Sequence, residues 1–136
     1  MIVQISLFVA CASSEHVIGL LHRWTSAGAE LGDSWKHVRC AAELAVRHAQ
    51  QRNGSVVPAL ANIPDVHRFT SFNYDTGSVP KTGLKARRQA LKNNAQILIG
   101  AARSAVSLPL ALVGAVDETP QISYWSSAPE LSNKGE

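Results

Sequence analysis

The run Gln96-Ile97-Leu98-Ile99-Gly100 constrains this chain more than any other stretch. Three large apolar residues in succession, with no polar alternation, suit a strand covered on both faces. Strands of that kind belong to parallel sheets flanked by helices. His16–Leu21 (H-V-I-G-L-L) is a second short run of strand formers. Arg68–Tyr74 is a third, closed by Asp75-Thr76-Gly77, with Pro80 ending any extension. Gln121–Trp125, after Thr119-Pro120, is expected to be a fourth.

Between these runs the period becomes helical. Trp35, Val38, Ala42, Ala45 and Ala49 form a stripe that starts at an Asp33 or Ser34 cap and stops at Asn53-Gly54. Trp35 on that stripe is expected in the core, and the small residues let the helix lie close to a sheet. A second helix is expected over Thr82–Asn94, with Lys85, Arg87, Arg88 and Lys92 on a solvated face. A third is expected from near Ala105 to Val116. Its effective start is placed at Ser107, because Pro109 is tolerable only close to a first turn. The order β-α-β-α-β-α-β predicts an α/β fold, a doubly wound parallel sheet with helices on both faces.

Composition narrows the class. A length of 136 residues suits one domain, and nineteen alanines leave helix-on-sheet packing favoured over an aromatic-rich barrel. Charged residues are 17% and the net charge is +3, which excludes disorder and coiled coil and disfavours a dedicated nucleic-acid binder. Two cysteines, Cys11 and Cys40, cannot staple a miniprotein, and no Cys/His group has zinc-ligand spacing. His37 and His48 share a helical face, but no metal or other cofactor is expected. Enzyme signatures are thin: the nucleophile elbow, the phosphate-binding loop and the dinucleotide fingerprint are all missing. Asp117-Glu118 reads as a solvated turn, and Asp75 as a turn former.

At the amino terminus, Ile2–Val9 is apolar and is followed by Ala10-Cys11-Ala12, a small-residue site of the kind signal peptidase reads. Residues 1–12 are therefore expected to be a signal peptide, although no Lys or Arg precedes the run. Asn53-Gly54-Ser55 is a glycosylation sequon consistent with secretion.

Ligands of doubly wound sheets sit beyond the carboxyl ends of the strands. Two segments there stand out. Gly100-Ala101-Ala102-Arg103-Ser104 offers a close backbone approach, free amides at a helix start and a hydroxyl. Tyr124-Trp125-Ser126-Ser127-Ala128-Pro129 offers two hydroxyls beside an aromatic face. Side by side they would make a small polar pocket with one apolar wall, suited to a zwitterion or a small acid.

Several segments resemble the type 1 periplasmic-binding-protein-like family. They are Ala41–Val46, Asp75-Thr76, Ile97–Gly100 and, most specifically, Pro120–Lys134 with its S-Y-x-S-S-x-P-x-L-S-N core, which is most similar to the GABA type B group. The likeness runs from about His16 to the end. It implies that residues 13–136 are part of the first of two α/β lobes that close on a ligand, in an extracellular receptor without catalytic activity. By position, it implicates Ser104 and its amides, then Ser126 and Ser127, in gripping a small amino-acid-like molecule, with Trp35 as a weaker candidate; Arg103, Tyr124 and Trp125 are added as candidates by their place in the same two loops, although Arg103 stands where serine is frequent. It further implies membrane contact only through a carboxyl-terminal module, and pairing through the lobe. Trp125 departs from the small residue usual in receptors. No basic residue between Trp24 and Lys36 supplies a glutamate-type clamp, and Gly77 replaces a frequent cysteine. The rival reading is a cytosolic flavodoxin-like enzyme or nucleotide binder using Ser104 and the basic second helix.

Overall fold

The computed structural model describes residues 13–26, 29–30 and 32–131. The expected signal segment, Cys11 and the last residues of the Pro120–Lys134 stretch lie outside them. The elements, in order, are β1 (Ser14–His22), β2 (Thr25–Ser26), β3 (Ala29–Glu30) and α1 (Ser34–Gln51), then β4 (His67–Asp75), α2 (Pro80–Lys92), β5 (Ile97–Ile99), α3 (Ser104–Val116) and β6 (Gln121–Ile122). Short 3-10 turns occupy Pro58–Asn62 and Pro129–Leu131.

The main sheet is parallel with strand order β4-β1-β5-β6. The chain steps one way from β1 to β4 and the other way from β4 to β5 and β6. Right-handed crossovers then put α1 on one face and α2 with α3 on the opposite face. Side-chain contacts agree. Val17, Leu21, Tyr74 and Leu98 point into one buried cluster with Ala86, Ala90, Val106 and Leu110 of α2 and α3. On the other face, Asn73 Nδ2 of β4 donates to Glu43 Oε1 of α1 at 2.7 Å. The doubly wound α/β expectation is met.

Four details differ from the sequence reading. Pro80 opens α2 as its first residue instead of merely ending an extension, because the missing N–H is not needed there and its fixed φ already suits a helix. Helix α3 begins at Ser104 and carries Pro109 within it, so packing against the core overrides that residue's helix-breaking tendency. The stretch from Thr25 to Glu30, read as loop, contains the small antiparallel β2–β3 pair.

The fourth difference concerns charge. Arg87 sits on the inner side of α2, only 1% exposed, and pairs with Asp117 just beyond α3. The basic run is therefore not one solvated face, and Asp117 is not merely a solvated turn. A guanidinium so deeply buried must keep a counter-charge, which here joins α2 to α3.

The α2/α3 face is well packed, but the outer side of α3 is not. Leu112, Val113 and Val116 are exposed, as is Ile122 on the free edge of β6. Among the described residues, no helix is long and apolar enough to cross a membrane.

Because Leu110 is fully buried and Val116 is 85% exposed, truncation should separate them. Leu110→Ala is expected to cost about 2–5 kcal/mol in denaturant unfolding, and Val116→Ala less than about 0.5 kcal/mol. Equal costs would contradict this packing.

Candidate functional site

The carboxyl ends of β1, β5 and β6 meet α1 at one rim of the sheet. Their geometry starts at Gly100. Its φ is +120°, and a Cβ there would lie 2.1 Å from the Leu21 carbonyl oxygen, so only glycine fits. Gly100 N–H donates to the Ile122 carbonyl at 2.7 Å, and Gln121 Nε2 donates to the Gly100 carbonyl at 2.6 Å. These bonds fix the exit from β5 against the short strand β6.

One residue later, three hydroxyl oxygens converge within hydrogen-bond distance of the Ala101 carbonyl oxygen: Ser107 at 2.9 Å, Ser123 at 2.7 Å and Ser126 at 3.1 Å. Ser107 and Ser126 hydroxyls are also 2.6 Å apart. Ser123 Oγ in turn accepts the Ser126 N–H at 3.1 Å, bending the chain away from the sheet. This explains why β6 ends at Ile122 and does not run to Trp125 as expected: Ser123 serves a turn, and Tyr124 and Trp125 are carried off the ladder. Ser104 Oγ accepts the N–H groups of Ser127 and Ala128, each at 3.2 Å. The loop after β5 and the loop after β6 are thus stitched together, side by side, as anticipated.

The candidate residues divide into two groups. Trp35, Arg103, Trp125 and Ser127, together with Arg23 and Ala102, line a cavity of about 350 Å³ at this rim. Ser126 lines a second cavity of about 330 Å³ with Ser107, Gln121 and Ser123, and Ser127 lines both. Ser104 and Ser126 were expected as ligand hydroxyls, but both are engaged in holding the two loops. Tyr124 lies outside the first cavity, its ring 6.5 Å from that of His22, and burial pushes its phenol upward. Asn53 lies two residues past α1, its Oδ1 accepting the Ser55 N–H at 3.0 Å.

Trp35 corrects its core assignment. It is half-buried at the start of α1, and its ring centroid is 5.7 Å from that of Trp125, tilted by 38°. Trp125 itself is 65% exposed, so the pair forms a wall open to solvent.

Arg23, which follows β1 immediately, escaped the sequence reading. Its guanidinium lies 5.5 Å above the Trp35 ring. The only available signal was its place at a strand end, because its aromatic partner is twelve positions away. Asp75 behaves as the turn former it was read to be. Its Oδ1 accepts N–H bonds from Trp24 (3.2 Å), Thr25 (3.4 Å) and Gly77 (2.9 Å), and Thr25 Oγ1 donates to Oδ2. It thereby anchors the loop that carries Arg23.

Beneath this loop, His22 is 1% exposed, and burial holds its imidazole below the ordinary histidine value. Among the described residues no group of three or more His, Cys, Asp or Glu could hold a metal ion.

No protein-family profile matches this chain, and no curated protein sequence does. Solved structures do. An ABC transporter substrate-binding protein from Sphaerobacter thermophilus superposes with a TM-score of 0.67 at 15% identity over 89% of this chain and 29% of that one. Another, from Desulfitobacterium hafniense, gives 0.62 at 25% over 90% and 32%. A branched-chain amino acid transporter substrate-binding protein from Streptococcus pneumoniae, solved with isoleucine, gives 0.57 at 15% over 88% and 31%. The fold is that of an α/β ligand-binding lobe. More particularly, it is the type 1 periplasmic-binding-protein-like fold that the sequence motifs suggested. The chain spans about a third of the length of the solved structures it matches.

The buried imidazole sets a pH dependence. The unfolded chain takes up a proton near the ordinary value of 6.5, whereas folded His22 resists it. Its contribution is therefore complete above that value and is lost as pH falls from it toward the lower folded value. Thermal unfolding followed from about pH 7.5 to 5.5 should show a falling midpoint, with a shallower fall in His22→Gln. An identical slope in the two proteins would contradict the assignment.

Proposed function

We propose that this chain is part of the first lobe of an extracellular, non-catalytic ligand-binding protein that senses a small amino-acid-like molecule. Its ligand would be gripped at the rim where Arg103, Trp125 and Ser127 meet Trp35. The observation that carries this reading is the cavity itself. Its walls come from four segments separated in sequence, and it lies beyond the carboxyl ends of parallel strands, where ligands of such sheets bind. The substrate-binding names of the structural neighbours support the same reading.

In a two-lobed protein, closure places a second wall over such a rim, and the ligand shifts the open–closed equilibrium through contacts better made in the closed state. The exposed apolar side of α3 and the free edge of β6 support a lobe that packs against further structure. Asn53 belongs to this proposal as a glycosylation site, as do secretion and pairing through the lobe. The nucleotide-binding alternative draws no support from its own residues. Ser104 Oγ already accepts two backbone N–H groups, and Arg87 is buried and paired with Asp117.

A single wall supplies only part of the affinity. Calorimetric titration of the chain with a panel of amino acids and small acids should give dissociation constants of about 10 μM or weaker, with Trp125→Ala abolishing the response. Submicromolar affinity would contradict the half-site, and binding indifferent to Trp125→Ala would contradict its location.

A further inference from the structure

The exposed basic residues of α2 stand in a line. Lys81, Lys85, Arg88 and Lys92 recur at steps of four, three and four, which puts them on one helical face. All four are exposed, and none has an ion-pair partner among the described residues. Neither α2 nor α3 contains an acidic residue. Just past α3, Asp117 is held by Arg87 and by the Thr119 N–H, and Glu118 lines a cleft on the other side of α3, toward β6.

An apolar groove runs beside this line. Leu84, Arg88 and Leu91 of α2 and Val113 of α3, with the Arg87–Asp117 pair, line a cleft of about 270 Å³ between the two helices. On its α3 side, Leu112 and Val116, one helical turn apart, are exposed. Two neighbouring helices on one face of a sheet leave a channel of the kind that takes the ridge of a third helix. One bank of this channel is cationic and the other aliphatic.

We propose that the channel docks an amphipathic helix of a partner protein. That helix is aliphatic where it meets Leu112, Val113 and Val116, and acidic along the flank that faces Lys81, Lys85, Arg88 and Lys92. Charge complementarity selects this occupant. The four cations span about 16 Å, so roughly three turns of helix are needed to meet them. A second copy of this chain does not supply such a helix. Among its described α-helices the only acid is Glu43 of α1, already engaged by Arg39 and Asn73. A bilayer would meet the same cations, but its flat surface leaves the cleft unfilled, and neither α2 nor α3 has the aromatic residues typical of interfacial helices. The proposal is independent of what binds at the rim.

The test uses the whole chain and two helical peptides of about 18 residues. Both carry Leu at helical spacing; one has Glu along one flank, and in the other each Glu is Gln. Methyl resonances of Leu112, Val113 and Val116 are followed by NMR as each peptide is raised to about 1 mM. Saturable shifts are expected with the Glu peptide, at about tenfold higher affinity than with the Gln peptide, because several exposed ion pairs add. Lys85→Gln combined with Arg88→Gln should shrink that preference at least about threefold, and added salt should shrink it too. Leu112→Ser combined with Val116→Ser should weaken both peptides alike, read at Val113. Every substituted side chain is exposed, and unmoved methyl resonances of buried Leu110 show that the variants fold.

Equal affinity for the two peptides would overturn the inference, as would a Glu peptide that moves none of these methyls. Sedimentation showing that the chain self-associates through this face would also overturn it. So would broadening of the same methyls by mixed phosphatidylglycerol and phosphatidylcholine vesicles in preference to the Glu peptide.

Discussion

The Ala101 carbonyl holds the rim together. Serine hydroxyls from α3 and from the two positions flanking Tyr124-Trp125 converge on this one oxygen. Each bond is modest in net worth, about 1 kcal/mol in a typical case. Together they decide where two loops, some twenty residues apart in sequence, leave the sheet. Gly100 makes the convergence possible, since any side chain there would strike the Leu21 backbone. Because Ser123 is drawn to Ala101, β6 stops after two residues, and Trp125 swings out to meet Trp35.

This arrangement assigns the serines and the tryptophans different tasks. Ser104, Ser107, Ser123 and Ser126 satisfy backbone and one another, and so set geometry. The indoles of Trp35 and Trp125 and the guanidiniums of Arg23 and Arg103 line the rim cavity. A polar network of this kind is costly when half satisfied and rigid when complete, which suits it to scaffolding a site. Elsewhere, buried Arg87 pairs with the exposed Asp117 and ties α2 to α3, and the outer face of α3 is apolar and exposed.

Much of the fold was legible because its signals were local. The uninterrupted Ile97–Ile99 run, the strand-forming stretches at His16–Leu21 and Arg68–Tyr74, and the helical stripe from Trp35 to Ala49 each stand in one short window. What was not legible depends on partners distant in sequence. Arg87 looks like one of four surface cations until Asp117, thirty residues on, neutralises it. Trp35 looks like a core residue because its real neighbour, Trp125, lies ninety positions away. Tyr124 and Trp125 look like strand residues because nothing in their own window reveals the pull of Ala101 on Ser123. At the site, Trp35, Arg103, Trp125 and Ser127 do share a cavity. The roles of Ser104 and Ser126 could not be read, since a serine that binds a ligand and a serine that binds backbone look alike in sequence.

The central claim is that the loop after β6 turns back across the strand ends to face α1, making one wall from parts of the chain far apart in sequence. Nuclear Overhauser contacts between the ring protons of Trp35 and Trp125 test it most directly. Rings with centroids 5.7 Å apart should give clear cross-peaks that disappear when either tryptophan is replaced. Cross-peaks from Trp125 to the residues of β5 across an extended β6 ladder, with none to Trp35, would contradict the account.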